Sequence, residues 1–277
     1  MGFPVQKIPS KQALPVSAFI ITLNEADKLE ACLASLSDLS EIILVDCGST
    51  DDTLAMARSL SAKGLPIKVF HQDWLGYAAQ KQFALEKCTQ PWCLSIDADE
   101  RLDDALRAEL PGLLSGEDDV VGWKLARRGF LPGFGFTPEC VRERNKLRLI
   151  KSGKGSFDTR RFVHERIVPV GKVKKAKVGS LLHYTPQLID DQILKENKYS
   201  TLKADMIVRD GQSRNKLRLV VSPAIYFFRL YFMHGLWRCG FPGYIQAATG
   251  AVYSFLTEAK VYQRRATKSG VTQDDAT

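Results

Sequence analysis

Over about the first hundred residues, short apolar runs alternate with stretches of helical periodicity, and this alternation narrows the possible folds more than any other property of the chain. Val16 to Leu23 is apolar and partly β-branched between Pro15 and Asn24, and reads as a strand buried on both faces. Ala26 to Leu36 then places Leu29, Leu33 and Leu36 on one side of a helix. Ile42 to Val45 predicts a second strand, Thr53 to Leu60 a second helix, Ile67 to Phe70 a third strand, Tyr77 to Cys88 a third helix after Gly76, and Trp92 to Ile96 a fourth strand. Helices of this length between strands require right-handed crossovers. The expected fold is therefore α/β, a Rossmann-like, mainly parallel sheet flanked by helices.

Ligands of such sheets bind beyond the carboxyl ends of the strands. No Gly-x-Gly-x-x-Gly or Gly-x-x-x-x-Gly-Lys-Ser/Thr follows any strand, which argues against a dinucleotide fold and a P-loop. Acids stand there instead. Asp97-Ala98-Asp99-Glu100 closes the fourth strand with three carboxylates in four residues, a cluster that repels itself unless a cation intervenes, and oxygen ligands favour Mg²⁺ or Mn²⁺. The competing reading makes Asp99 and Glu100 caps of a helix beginning near Leu102, and gives Asp46 and Asp51 turn and cap duty after the second strand.

Three segments in order, Thr22-Leu23-Asn24-Glu25, Val45-Asp46-Cys47-Gly48-Ser49-Thr50-Asp51 and Asp97-Ala98-Asp99-Glu100, resemble those of the family 2 glycosyltransferases of GT-A fold, in particular small bacterial members of the β-1,4-glucosyltransferase type that act on the lipopolysaccharide core. The resemblance runs from Val16 to about Arg264, and Cys47 departs from the small or acidic residue expected at its place. It implies a UDP-sugar donor and a divalent metal, Mg²⁺ or Mn²⁺. By resemblance Asp46 would accept the N3–H of uracil, while Thr22, Leu23, Asn24 and Glu25, with Ser49 and Asp51, would border the base and ribose. Asp97 and Ala98 would reach the ribose or the metal shell, and Asp99 would be the direct metal ligand. Gln80 and Lys81 lie near a helix start and either face the nucleotide or, for the lysine, lie in solvent.

Beyond Gly112 the pattern loosens. Val120 to Leu125, Lys146 to Ile150 and Phe162 to Val168 read as strands, with Gly129 to Phe136 a loop. The net charge of +8 is concentrated here: Trp123 to Lys177 carries 16 Lys and Arg against 4 Asp and Glu. Such a stretch attracts phosphates, whether on a nucleotide, an anionic lipid or a nucleic acid. Within it, by resemblance, His164-Glu165 takes the place of the catalytic base, with Glu165 removing the acceptor hydroxyl proton; the alternative pairs Glu165 with a neighbouring arginine. His183 could complete a metal shell beside Asp99, although a lone His at a strand end is commonly structural. Lys198 and Tyr199 are diphosphate candidates on the helix that follows.

The chain is expected to be helical from Gln187 onward. Leu219 to Phe228 is apolar but too short to cross a bilayer, and aromatic residues with interspersed arginines suit a helix lying in an anionic membrane surface. The alternative is a helix packed on the domain. The expected organisation is a tail over 1–15, a nucleotide-sugar half over 16–115, an acceptor half over 116–186, a helical and membrane-associating extension over 187–263 and a disordered tail over 264–277. With no apolar signal segment in Met1 to Val16, the expected place is the cytoplasm, peripheral on the inner face of the cytoplasmic membrane. The scattered cysteines, Cys32, Cys47, Cys88, Cys93, Cys140 and Cys239, are expected reduced and mostly buried. The expected activity is inverting, metal-dependent transfer of a hexose, glucose first, to a lipopolysaccharide core or related cell-envelope glycan. The rivals are a sugar nucleotidyltransferase and a non-catalytic basic protein binding nucleic acid or membrane; nucleic acid is not among the partners of the preferred reading.

Overall fold

The computed structural model describes residues 13–116, 118–141, 143–159, 165–186 and 188–268. Contacts divide the chain into two units, one formed by the segments up to Arg128 and from Glu143 to Tyr184, the other by Gly129–Arg142 and the chain from Thr185.

In the first unit β1 (Leu14–Thr22), α1 (Ala26–Ala34), β2 (Leu39–Asp46), α2 (Thr53–Ala62), β3 (Ile67–His71), α3 (Tyr77–Glu86) and β4 (Trp92–Ser95) follow the expected alternation. β1 pairs in parallel with β2 and β4, and β2 in parallel with β3, giving the order β3-β2-β1-β4. One face of this sheet packs Ile20, Leu44 and Leu94 against Leu29, Leu33 and Leu36; the other packs Phe19, Ile43 and Val45 with Ala78 and Ala84 of α3. The apolar runs were continuous because both faces are covered.

A single carboxylate ties this parallel half together near its strand starts. Glu41 of β2 is 2% exposed; it accepts from Ser17 of β1, from Lys68 Nζ of β3 at 2.7 Å, and from the Thr89 N–H and hydroxyl, at 2.8 and 2.9 Å, just ahead of β4. Burial pushes its pKa up, but these donors more than reverse the effect and bring it from 4.5 to about 2.

The remaining strands are β5 (Glu100–Leu102), β6 (Val120–Leu131), β7 (Gly135–Phe136), β8 (Glu143–Lys151), β9 (Gly155–Phe157), β10 (Ile167–Pro169), β11 (Lys172–Lys175) and β12 (Leu181–His183). β8 joins antiparallel to β4 and to β6, and β5 pairs antiparallel with β12, so the sheet beyond β4 is mixed. Three sequence expectations change here. Asp99 and Glu100 do not cap a helix: Glu100 starts β5, and α4 (Asp104–Leu114) is capped by Asp103, which accepts from Leu106 N–H at 2.7 Å. Gly129 to Phe136 is not a loop throughout, since β6 continues to Leu131 and turns back into β7. Of the strand expected at Phe162 to Val168, residues 162–164 lie outside the described residues, and β10 begins at Ile167.

The second unit contains the long helices α5 (Ile189–Arg209), α6 (Arg218–Phe228) and α7 (Gly240–Lys268). A π turn at Arg229–Met233 and a 3-10 turn at Leu236–Cys239 link α6 to α7 with a bend of 71°. Gly235 takes φ +80° in this bend, and a Cβ on Gly243 would lie 2.0 Å from the Leu236 carbonyl, so close packing there requires glycine. The polar tail expected from Arg264 is helical as far as Lys268; residues 269–277, like 1–12, lie outside the described residues. All six cysteines are free: Cys32, Cys93 and Cys239 are buried and Cys140 is exposed.

Because Glu41 has a lower pKa folded than unfolded, its stabilisation is complete above about pH 4.5 and is lost as pH falls toward 2. Glu41→Gln should lower unfolding free energy at neutral pH by about 2–3 kcal/mol and flatten the loss of stability between those pH values, measured by urea unfolding across pH.

Candidate active site

The acid loop after β4 is held by a buried cation from β8. Arg148 is 7% exposed, and its Nη2 lies 2.8 Å from Asp97 Oδ2 and 2.8 Å from Glu100 Oε1; Arg127 approaches Glu100 at 3.6 Å. The other Asp97 oxygen accepts from Lys81 Nζ of α3 at 2.8 Å, and the same ammonium reaches Glu165 Oε1 at 2.9 Å. Burial pushes the Asp97 carboxyl up, but Arg148 and Lys81 outweigh it and hold the group well below the usual carboxylate range. At Glu165, too, burial raises the pKa and the Lys81 charge more than compensates, leaving it below the ordinary value. Glu100, more deeply buried, stays raised despite Arg148. Arg148 would lose its proton more readily from burial alone; the carboxylates of Asp97 and Glu100 bind it more firmly.

Asp99 points elsewhere. Its Oδ2 lies 3.0 Å from His183 Nε2. β5 pairing with β12 sets this contact, with Glu100 opposite His183 and Tyr184 N–H donating to the Asp99 carbonyl at 2.8 Å. Asp97, Ala98, Asp99, His183, Lys81, Glu165, Glu25, Tyr77 and Ile21 line one cavity of about 230 Å³. Lys81, Asp97 and Glu165 also border a larger cleft of about 630 Å³, with Lys124, Lys146 and Arg166 on its walls.

Asp99 and His183 offer one carboxylate and one imidazole; among the described residues no group of three or more His, Cys, Asp or Glu is placed to hold a metal. A cation bound through one or two protein groups and completed by phosphate oxygens and water fits such a pair, which suits Mn²⁺ better than Mg²⁺ because of the imidazole. Asp97, for which a metal or ribose contact was expected, lines the same cavity with one oxygen on Lys81 and the other on Arg148.

The first two loops interlock. Asn24 takes φ +54°, accepts from Thr50 N–H at 2.8 Å and donates its own N–H to Ser49 Oγ at 2.9 Å. Asp46 accepts from the N–H groups of Gly48 and Ser49 at 2.8 and 2.9 Å and from the Ser49 hydroxyl. Asp51 accepts from Ala26 and Thr53 N–H, and Glu25 N–H donates to Thr53 Oγ1. The turn and cap duties considered for these acids are thus present, and Asp46 keeps roughly one of about four carboxylate acceptor positions. Leu23 is half exposed, while the Thr22 hydroxyl is buried without a hydrogen-bond partner.

Gln80 does not face the site. It is fully buried, accepting from Leu75 N–H and donating to the Gln72 carbonyl and Cys47 Sγ, so the unexpected cysteine is packed on α3. Lys81 is not a solvated lysine but the bridge between two acids. Lys198 and Tyr199 belong to α5 in the other unit. His164 lies outside the described residues. Arg148 was missed from sequence, its signal being only a cation at the centre of an apolar-alternating strand. Part of the basic stretch is committed internally: besides Arg148 and Arg127, Arg128 meets Asp103 and Lys172 meets Asp119.

Residues 17–152 match the profile of the family described as glycosyl transferase family 2. A lipopolysaccharide core biosynthesis glycosyltransferase of Rhizobium meliloti, LpsC, is 58% identical over 263 residues, spanning 95% of this chain and 97% of that protein. An uncharacterised glycosyltransferase of Rickettsia felis is 32% identical over 261 residues, 89% of each chain. Among solved structures, the mannosyltransferase PcManGT from Pyrobaculum calidifontis, in complex with GDP-Man and Mn²⁺, superposes with a TM-score of 0.50 at 15% identity, covering 97% of this chain and 79% of that one.

Arg148→Met should destabilise the protein by roughly 3–5 kcal/mol, because two buried carboxylates lose their shared cation. Denaturant unfolding of the variant against Lys124→Met, which removes an exposed charge, is the check.

Proposed function

The chain belongs to glycosyltransferase family 2, and we propose that it moves one hexose, with glucose the first candidate, from a UDP-sugar to a sugar of the lipopolysaccharide core, with inversion and with the help of a divalent metal. The observation that carries the reading is the convergence on one cavity of Asp99 and His183 on one side and the Lys81-bridged pair of Asp97 and Glu165 on the other. The name of the Rhizobium relative supports the acceptor class. The UDP assignment rests on the resemblance of the three loops, with Asp46 keeping an acceptor position for a base N–H.

Transfer with inversion needs a base on the acceptor and relief of charge on the departing diphosphate. Mg²⁺ or Mn²⁺ held by Asp99 and His183 would supply that relief when bound. The other roles fall to the chain itself. Lys81 keeps Glu165 ionised, so that the carboxylate can take the proton of the acceptor hydroxyl as its oxygen attacks the anomeric carbon. Asp97, tied on both oxygens, is not poised as a nucleophile, which favours single displacement over a covalent sugar intermediate. The larger cleft beyond Glu165 has room for the acceptor sugar, brought into line with the donor at the shared wall. On this reading the enzyme works at the inner face of the cytoplasmic membrane, held peripherally by an anionic surface.

A nucleic-acid-binding module is the weaker reading, since it leaves the acid cluster after β4 without a role and four cations of the stretch it would use meet carboxylates of the chain.

Asp99→Ala should weaken Mn²⁺-dependent UDP binding by roughly 10–100-fold, the scale of losing a group that supports a metal, as read by isothermal titration. Unchanged affinity would remove Asp99 from the metal. Glu165→Gln keeps shape and removes basicity: turnover should fall by about 10²–10⁴-fold with UDP-sugar affinity preserved. Near wild-type turnover would transfer the role elsewhere, and loss of donor binding would mark Glu165 as structural.

A further inference from the structure

The second unit carries a charge concentration of its own: Arg209 to Lys268 holds 10 Lys and Arg against 2 Asp and Glu. One of those acids, Glu258 of α7, is 8% exposed and gathers Arg214 at 3.0 Å and Arg218 at 3.2 Å. Two cavities of about 620 and 690 Å³ flank Glu258. Lys216 and Arg265 line the first and Arg229 the second, so five cations border the two cavities that Glu258 shares. The second cavity is amphiphilic. Arg218, Arg229 and the hydroxyl-bearing Ser222 and Ser254 line it together with an apolar wall of Leu217, Val221 and Ile225 from the α6 segment.

That wall runs into an exposed apolar surface. No single helix among the described residues is long and apolar enough to cross a membrane, yet Val220 is 72% exposed, Ile225 61%, Met233 72% and Phe241 85%, all on α6, the bend or the start of α7. Large apolar side chains in that number favour a non-aqueous partner, and the adjoining cations favour one with a phosphate. A water-soluble phosphate would account for the cations alone.

We propose that the cluster gathered by Glu258 binds the phosphate of an anionic phospholipid whose acyl chains lie along the exposed apolar side of α6. The inference deepens the membrane placement in the reading above. Glu258 holds Arg214 and Arg218 side by side, and Arg229, stacked at 5.0 Å over Tyr226, adds a further cation to the lining of the second cavity. The bend between α6 and α7 then sets the apolar residues at the depth of the acyl chains while the arginines stay at the headgroups.

The test is cosedimentation of the full chain with phosphatidylcholine vesicles and with mixed phosphatidylcholine–phosphatidylglycerol vesicles. Lys216→Gln combined with Arg229→Gln removes two cations and leaves both Glu258 pairs intact; Arg58→Gln with Lys63→Gln makes the same charge change on α2. The first pair should weaken binding to the mixed vesicles by roughly five-fold for each charge, and the second should leave it unchanged. Equal losses in the two variants, or equal binding to both kinds of vesicle, would overturn the site. Displacement by millimolar glycerol 1-phosphate would assign it to soluble phosphate esters instead. Sugar transfer measured without vesicles should be the same in wild type and Lys216→Gln/Arg229→Gln, so failure of the lipid site and failure of the assigned activity are read separately.

Discussion

A guanidinium placed almost out of reach of water must be neutralised where it lies, and Arg148 imposes that condition on the loop after β4. It takes Asp97 and Glu100 together, residues three apart, and so folds the four-residue acid loop around itself. Ala98 turns into the core between them. Asp99, the acid left over, then meets His183 across the β5–β12 pair. The three acids therefore separate into two held by the arginine and one held by the histidine, with Asp97 and Asp99 both on the cavity. Without the arginine, neighbouring carboxylates would repel one another, and nothing would select which of them points into the cavity.

This division explains which parts of the molecule could be read from the sequence. The parallel half was legible because strands covered on both faces are continuous apolar runs, and β1, β2, β3 and β4 formed within a few residues of where those runs lie. The mixed half was not. β11 has three lysines in its four residues and becomes a strand only because β6 lies parallel beside it. β5 was hidden by a local rule, since acids favour a helix start, and the true cap, Asp103, stands three residues beyond Glu100. The site divided in the same manner. The acid loop and Glu165 were visible as local patterns, whereas the partners Lys81 and Arg148 meet Asp97 from 16 and 51 residues away, a separation that no local pattern records.

The loops after β1 and β2 qualify the choice between turn duty and ligand duty. Asp46, Asp51 and Asn24 spend their oxygens on backbone N–H groups of the two loops, which fixes those loops to one another before a ligand arrives. A loop ordered in this way loses little further conformational freedom on binding. Turn duty does not by itself exclude ligand duty, because an ordered rim can still present the acceptor positions that its own N–H groups leave open. Gln80 is the exception: every polar atom of its amide serves packing beneath that rim, and the residue's contribution is to keep α3, and with it Lys81, in place.

Net charge alone would have misplaced the outward-facing cations. The stretch with the largest local excess, Trp123 to Lys177, feeds Arg127, Arg128, Arg148 and Lys172 into carboxylates of the same unit, where they neutralise instead of attracting. The helices from Arg209 onward have fewer acids to meet: among the described residues Glu258 takes Arg214 and Arg218, Asp205 takes Arg264 and Asp210 takes Arg209. Cations without acidic neighbours keep their field in the solvent, where it falls off over roughly 8–10 Å at physiological salt. An exposed apolar ridge within that distance of such cations is costly in water and compatible with a surface that offers both phosphate and hydrocarbon. The pairing pattern, which only the fold supplies, thus separates cations that meet carboxylates of their own unit from cations whose field reaches the solvent.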